Sequence, residues 1–127
     1  MIIAIPQLNY KAGDIQGNSE KIISAIQKAQ NQKAELILFP ELAVSGALPQ
    51  DLLEREEFVN ACRMAVEKIA ATCTQIAAIV GAPNLDSENG IMYNSAYFIQ
   101  HGEVVDGVHK NILSDYDIFS ESRYFIA

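Results

Sequence analysis

Basic residues are scarce in this chain. Nine Lys and Arg stand against 16 Asp and Glu over 127 residues, a formal net charge of -7. Lys and Arg cluster nowhere, which argues against a general nucleic-acid or anionic-membrane surface, since both reward such clusters. Long apolar runs are missing too: no window approaches the about 18 apolar residues of a membrane-spanning helix. The N-terminus, Met1-Ile2-Ile3-Ala4-Ile5-Pro6, lacks the basic start and extended apolar segment of a secretion signal. There are only two cysteines, Cys62 and Cys73, spaced neither as a metal motif nor as CxxC. A cytoplasmic protein with free thiols is expected. No ligand cluster points to a metal, and no GxGxxG or GxxxxGK[ST] points to a nucleotide loop. A Ser-His-Asp triad has little support, because the only histidines are His101 and His109 and there is no GxSxG.

What is present fits one globular domain with a real core. Ile2 to Ile5 is a short apolar run of the kind found in buried strands. Turn-favouring Gly13-Asp14 and Gly17-Asn18 follow, and Asn18 or Ser19 is placed to cap a helix running to about Gln32 with Ile22, Ile26 and Ala29 on one face. Leu36 to Phe39 reads as a second buried strand, stopped by Pro40. Asp51 is placed to cap a short helical piece, and a longer helix spans about Glu56 to Thr72 with an apolar stripe through Phe58, Cys62, Ile69 and Cys73. Gln75 to Ala82 is a third strand, followed by a polar loop that begins at Pro83-Asn84. Tyr93 to Gln100 and Glu103 to Lys110 are strands joined at His101-Gly102, a two-residue hairpin turn. The order β-α-β-α-β-β-β implies an α/β layer structure. The end, Arg123-Tyr124-Phe125-Ile126-Ala127, is apolar and aromatic and reads as an interrupted element, so a longer polypeptide is expected.

Two charged residues carry the chemistry. Glu41 closes the apolar run Leu36-Ile37-Leu38-Phe39-Pro40, where desolvation can raise a carboxyl pKa and make it a usable base. On position alone, a Glu paired with Arg or Lys at a sheet edge, or facing solvent in a turn, is the expected reading. Lys110 follows the hairpin strand and could stabilise a developing oxyanion or be an ordinary exposed lysine. If the strand continues, His109 faces away from Lys110. Cys62 and Cys73 lie on the inward stripe of the second long helix and read as core residues.

Four segments, in order, resemble the nitrilase superfamily, and most of all the glutaminase domain of glutamine-dependent NAD synthetases. They are Gln7-Leu8-Asn9 with Gly13-Asp14 and Gly17-Asn18; Phe39-Pro40-Glu41-Leu42-Ala43 with Ser45-Gly46; Pro49-Gln50-Asp51-Leu52-Leu53; and Lys110 through Leu113, Tyr116, Ile118-Phe119, Glu121 and Arg123-Tyr124-Phe125. The resemblance spans essentially the whole chain. It implies the N-terminal portion of a nitrilase-type α-β-β-α sandwich, residues 1–127 being a partial amidase domain without its cysteine-bearing C-terminal part. It further implies that Glu41 takes the proton of a cysteine thiol that attacks the side-chain amide of glutamine, that Lys110 stabilises the oxyanion, and that Tyr116 lines the glutamine pocket. Glu121 is expected as a supporting acid rather than a base.

In that family the ammonia passes to a C-terminal synthetase domain, which uses ATP and magnesium to amidate deamido-NAD; no cofactor is expected in this chain itself. Homo-oligomers are implied as well. The family nucleophile follows the lysine in sequence, so neither Cys62 nor Cys73 matches it, and the chain alone is expected to be inactive. Ala47 stands where the family usually has a tyrosine, and Ser114, Asp117 and Ser120 depart from its usual proline, glycine and aspartate. Two other readings stay open: a piece of another nitrilase-type carbon-nitrogen hydrolase, and a truncated, non-catalytic assembly module.

Overall fold

A computed structural model describes residues 1–127. The chain forms β1 (Ile3–Ala4), α1 (Ile15–Asn31), β2 (Leu36–Leu38), a 3-10 helix (Gln50–Glu54), α2 (Glu56–Ala70), β3 (Ala77–Asp86), β4 (Ile91–Gln100), β5 (Glu103–His109) and a last 3-10 turn (Glu121–Arg123). The strands make one sheet in the order β1-β2-β3-β4-β5. The first three pair in parallel through helical crossovers, and β3-β4-β5 is an antiparallel meander.

Several local predictions shift. Asp51, expected as a cap, lies inside the 3-10 helix, whose N-cap is Pro49. The N-cap of α1 is Asp14, whose carboxylate accepts from the Gly17 N–H at 3.0 Å. Asn18 and Ser19, expected as caps, are buried inside the helix instead. The Asn18 side chain accepts from the Lys11 N–H and donates to the carbonyls of Lys11 and Val44, so its polar atoms hold loops together and no longer need the helix end. β3 runs on through Pro83 and Asn84, where a loop was expected. The reason is directional. The carbonyls of Ile79 and Gly81 face β2 and the loop after it, accepting from Phe39 and Val44. Strand alternation puts the nitrogen of Pro83 on that same side, away from β4, so its missing N–H breaks no rung of the ladder.

Helices α1 and α2 pack on one face of the sheet. Ile22 and Ile26 of α1, Cys62 and Ile69 of α2, and Ile37, Val80 and Ile99 of the strands belong to a 19-residue core. Both cysteines are fully buried, and burial pushes the Cys62 thiol to about 12 and the Cys73 thiol to about 11. On the opposite face the alternate strand residues Leu38, Ile79, Ala96 and Val108 line a shallow groove. Ile2 to Ile5, expected as a buried strand, forms only a two-residue edge strand, and Ile2, Ile3 and Ile5 are exposed. No helix is long and apolar enough to cross a membrane.

Candidate active site

Three separate elements deliver the charged groups to one end of the helix-free face. Glu41 leaves the end of β2, where the chain crosses over β3. Gly81 is required there: a Cβ on it would lie 2.6 Å from the Leu42 nitrogen and the Pro40 carbonyl oxygen, and 2.9 Å from Glu41 Cα. Lys110 directly follows β5, and its N–H donates to the Asn94 carbonyl of β4 at 2.8 Å. Glu121 opens the last 3-10 turn.

The side chains then meet. Lys110 Nζ donates to Glu41 Oε1 at 2.9 Å and to both oxygens of Glu121, Oε1 at 3.0 Å and Oε2 at 2.9 Å. Asn94, 2% exposed, donates from Nδ2 to Glu41 Oε1 at 2.5 Å and to Glu121 Oε1 at 3.3 Å. The Ser114 N–H donates to Glu121 Oε2. Burial opposes the charge on Glu121, but the Lys110 and Ser114 hydrogen bonds outweigh it and hold the carboxyl below its ordinary value. Burial likewise opposes the charge on Lys110, and the hydrogen bonds to Glu121 and Glu41 more than reverse it, so the ammonium pKa is raised. Glu121 and Lys110 are therefore ionised near neutral pH.

The two carboxylates differ in what remains free. Both oxygens of Glu121 are occupied, and its side chain is only 11% exposed. On Glu41, Oε1 takes both bonds, Oε2 accepts none, and the side chain is 49% exposed. Glu41 thus has a lone-pair oxygen available to take a proton, while Glu121 is fixed as a counter-ion.

These groups border a cavity of about 340 Å³ lined also by Leu42, Ala47, Leu53, Tyr116, Phe119 and Tyr124. Its walls are irregular backbone. Leu42, Leu48 and Gln50 all have positive φ, as does Asp117 in the facing loop, although none is glycine. Such conformations persist only where surrounding contacts fix them. Here a small apolar cluster of Leu42, Leu53 and Phe125 sits beneath, and Tyr124 donates its hydroxyl to Asp51 at 2.6 Å.

The structure therefore brings together Glu41, Lys110 and Tyr116, the three positions singled out from sequence, with Tyr116 at the rim, 68% exposed. His109 faces the other way: its Nδ1 lies 2.7 Å from Ser95 Oγ, and its ring stacks on Tyr93 at 4.1 Å. Neither cysteine lines the cavity. Sequence reasoning missed Asn94 altogether. The available signal was an amide inside the apolar run of β4. No cluster of three or more His, Cys, Asp or Glu is placed to hold a metal ion.

The family model described as carbon-nitrogen hydrolase matches residues 2–125. A glutamine-dependent NAD(+) synthetase of Xylella fastidiosa is 40% identical over 124 residues, covering 97% of this chain and 22% of the relative. The crystal structure of a glutamine-dependent NAD(+) synthetase from Cytophaga hutchinsonii superposes with a TM-score of 0.93 at 29% identity, over 98% of this chain and 21% of that one. A variant of the nitrilase-superfamily amidase from Nesterenkonia sp. AN1 superposes with a TM-score of 0.80 at 27% identity, over 98% of this chain and 47% of that one. In that amidase the acetamide moiety of fluoroacetamide is added covalently at the active-site cysteine. The chain spans about a fifth of the length of the curated relatives it matches.

Proposed function

This chain belongs to the carbon-nitrogen hydrolase family, and on that premise we propose that it forms the Glu-Lys part of a glutaminase site in a glutamine-dependent NAD synthetase. The observation that carries the reading is the Glu41–Lys110 contact, made across 69 residues at 2.9 Å at the border of the cavity, with Glu41 Oε2 left without a hydrogen-bond partner. A cysteine from outside these 127 residues supplies the nucleophile. Glu41 Oε2 takes its thiol proton as the sulfur bonds to the amide carbon of glutamine, and the carbonyl electron pair moves onto oxygen. Lys110 stabilises that oxyanion. When the pair returns, the carbon–nitrogen bond breaks, and the departing nitrogen takes the proton from Glu41 and leaves as ammonia. Water then attacks the thioester, giving its proton to Glu41, and the thiolate recovers a proton as glutamate leaves.

Tyr116 forms part of the wall that holds glutamine. Ala47 lines the same cavity, so the space a tyrosine would fill there stays open. Magnesium–ATP chemistry is assigned to a separate synthetase domain of the longer polypeptide.

The test uses the longer polypeptide that carries this segment, assayed for deamido-NAD amidation with glutamine or with ammonia. Glu41→Gln should abolish glutamine-supported amidation and leave ammonia-supported amidation intact. Glutamine-supported turnover by Glu41→Gln at the parent rate refutes the assignment. A second reading, amidase action on a small neutral amide, is favoured by one observation: Lys110 is the only cation lining the cavity, and both carboxylates already engage it. Faster hydrolysis of simple aliphatic amides than of glutamine would select that reading.

A further inference from the structure

Asn94 engages the backbone and side chains of the site at once. Its carbonyl accepts the Lys110 N–H at 2.8 Å, and its side-chain amide reaches both carboxylates, Glu41 53 residues away and Glu121 27 residues away. It lies on β4 opposite Pro83 of β3 and is 2% exposed, so both neighbouring strands and its own burial fix its position. Only the NH2 end of the amide can face the two carboxyl oxygens that also accept from Lys110; turned around, its oxygen would oppose theirs.

The chemistry of the position is narrow. An apolar side chain would withdraw a donor from Glu41 Oε1 and Glu121 Oε1. An aspartate would add a third negative charge where one ammonium already serves two. The amide adds no charge, supplies two N–H groups and fits the strand. By occupying Oε1 of Glu41 from one side while Lys110 occupies it from the other, Asn94 fixes the rotation of the carboxylate, and with it the direction in which Oε2 points.

We infer that Asn94 is a positioning residue that sets the orientation of the Glu41 carboxylate against Lys110 and Glu121. The inference rests on the glutaminase reading above. A displacement of about 1 Å at a reacting group costs on the order of a hundredfold in rate without loss of substrate binding, so the effect falls on kcat and not on KM.

The experiment again uses the longer polypeptide, with Asn94→Ala and Asn94→Asp compared. Each should lower glutamine-supported kcat by at least about tenfold with KM within about twofold; the retained KM reports a folded glutamine site, and ammonia-supported amidation at the parent rate reports an intact synthetase domain. A glutamine-supported kcat unchanged in either variant overturns the inference. Glu41→Gln is run alongside. If it too keeps full glutamine-supported turnover, the glutaminase reading fails; if it is inactive and the Asn94 variants are not, the positioning role alone fails.

Should the variants not fold, the unsubstituted chain provides the measurement. By NMR, one Asn94 side-chain amide proton should exchange slowly with solvent, and its resonance should move when Glu41→Gln is introduced. Fast exchange of both protons with no response to that substitution overturns the inference equally.

Discussion

The molecule has two hydrophobic clusters of unequal kind. One holds 19 buried residues between two helices and the sheet; the other holds three, Leu42, Leu53 and Phe125, beneath the cavity. The large cluster is built from regular elements whose backbone hydrogen bonds are internal. The small one is built from a positive-φ residue, a 3-10 helix and an irregular end segment. Stability resides mainly in the first because apolar area removed from water accumulates there. The second holds the backbone around the carboxylates in conformations it would not otherwise keep. Fold and site are thus supported by different parts of the chain.

That division can be broken experimentally. Ile26→Ala, at a fully buried position of α1, should cost about 2–5 kcal/mol in urea unfolding and leave the kinetics of the folded fraction unchanged. A matching loss of glutamine-supported kcat would mean that the two clusters act as one. Leu53→Ala should cost less, about 2 kcal/mol, since residues beside an open cavity can relax into the space. Its effect on kcat should nevertheless exceed that of Ile26→Ala, because Phe125 and the turn bearing Glu121 lose their seat; equal kinetics in the two variants would remove any special role for the small cluster.

The smallest effect separates the regions by pH. Glu121 titrates below its ordinary 4.5, so its contribution to stability is present above that value and is lost as pH falls through the depressed one. Lys110 titrates above its ordinary 10.5, and its contribution is present below that value and lost as pH rises through the raised one. The buried thiols act on the alkaline side as well. Protonated in the fold, they contribute below their ordinary 9.0, and the contribution fades as pH rises toward about 11 for Cys73 and about 12 for Cys62. Urea midpoints across the acid range should lose part of their slope in Glu121→Gln and keep it in Cys62→Ala. The same acid slope in both variants would detach Glu121 from acid stability.

Most of the large cluster was legible in the sequence, because periodicity reports burial directly. Ile22, Ile26 and Ala29 recur at helical spacing, and His101-Gly102 announces a hairpin; the structure gives both turn residues positive φ, 56° and 82°. Where reading failed, long-range geometry had overridden a local signal. Asn18 looked like a cap and is a buried loop clamp; Pro83 looked like a strand end and sits in a strand whose far side has no ladder to lose. The site was half legible. The motifs around Glu41 and Lys110 and the rim position Tyr116 stood out, whereas Asn94 and the full engagement of Glu121 depend on which residues of distant strands lie opposite each other, and that register is not written in either segment.

The register shift in the β4–β5 pair decides the chemistry of the site. Near the turn, Ile99 lies opposite Val104; past the irregularity, Phe98 lies opposite Asp106 and Ser95 opposite His109. Carried on without that one-residue shift, the first register would set Asn94 against His109 and turn Lys110 toward the helices. The extra residue puts the lysine there instead. A single unpaired backbone unit, well outside the cavity, thus selects an ammonium over an imidazole at the position facing Glu41 and Glu121.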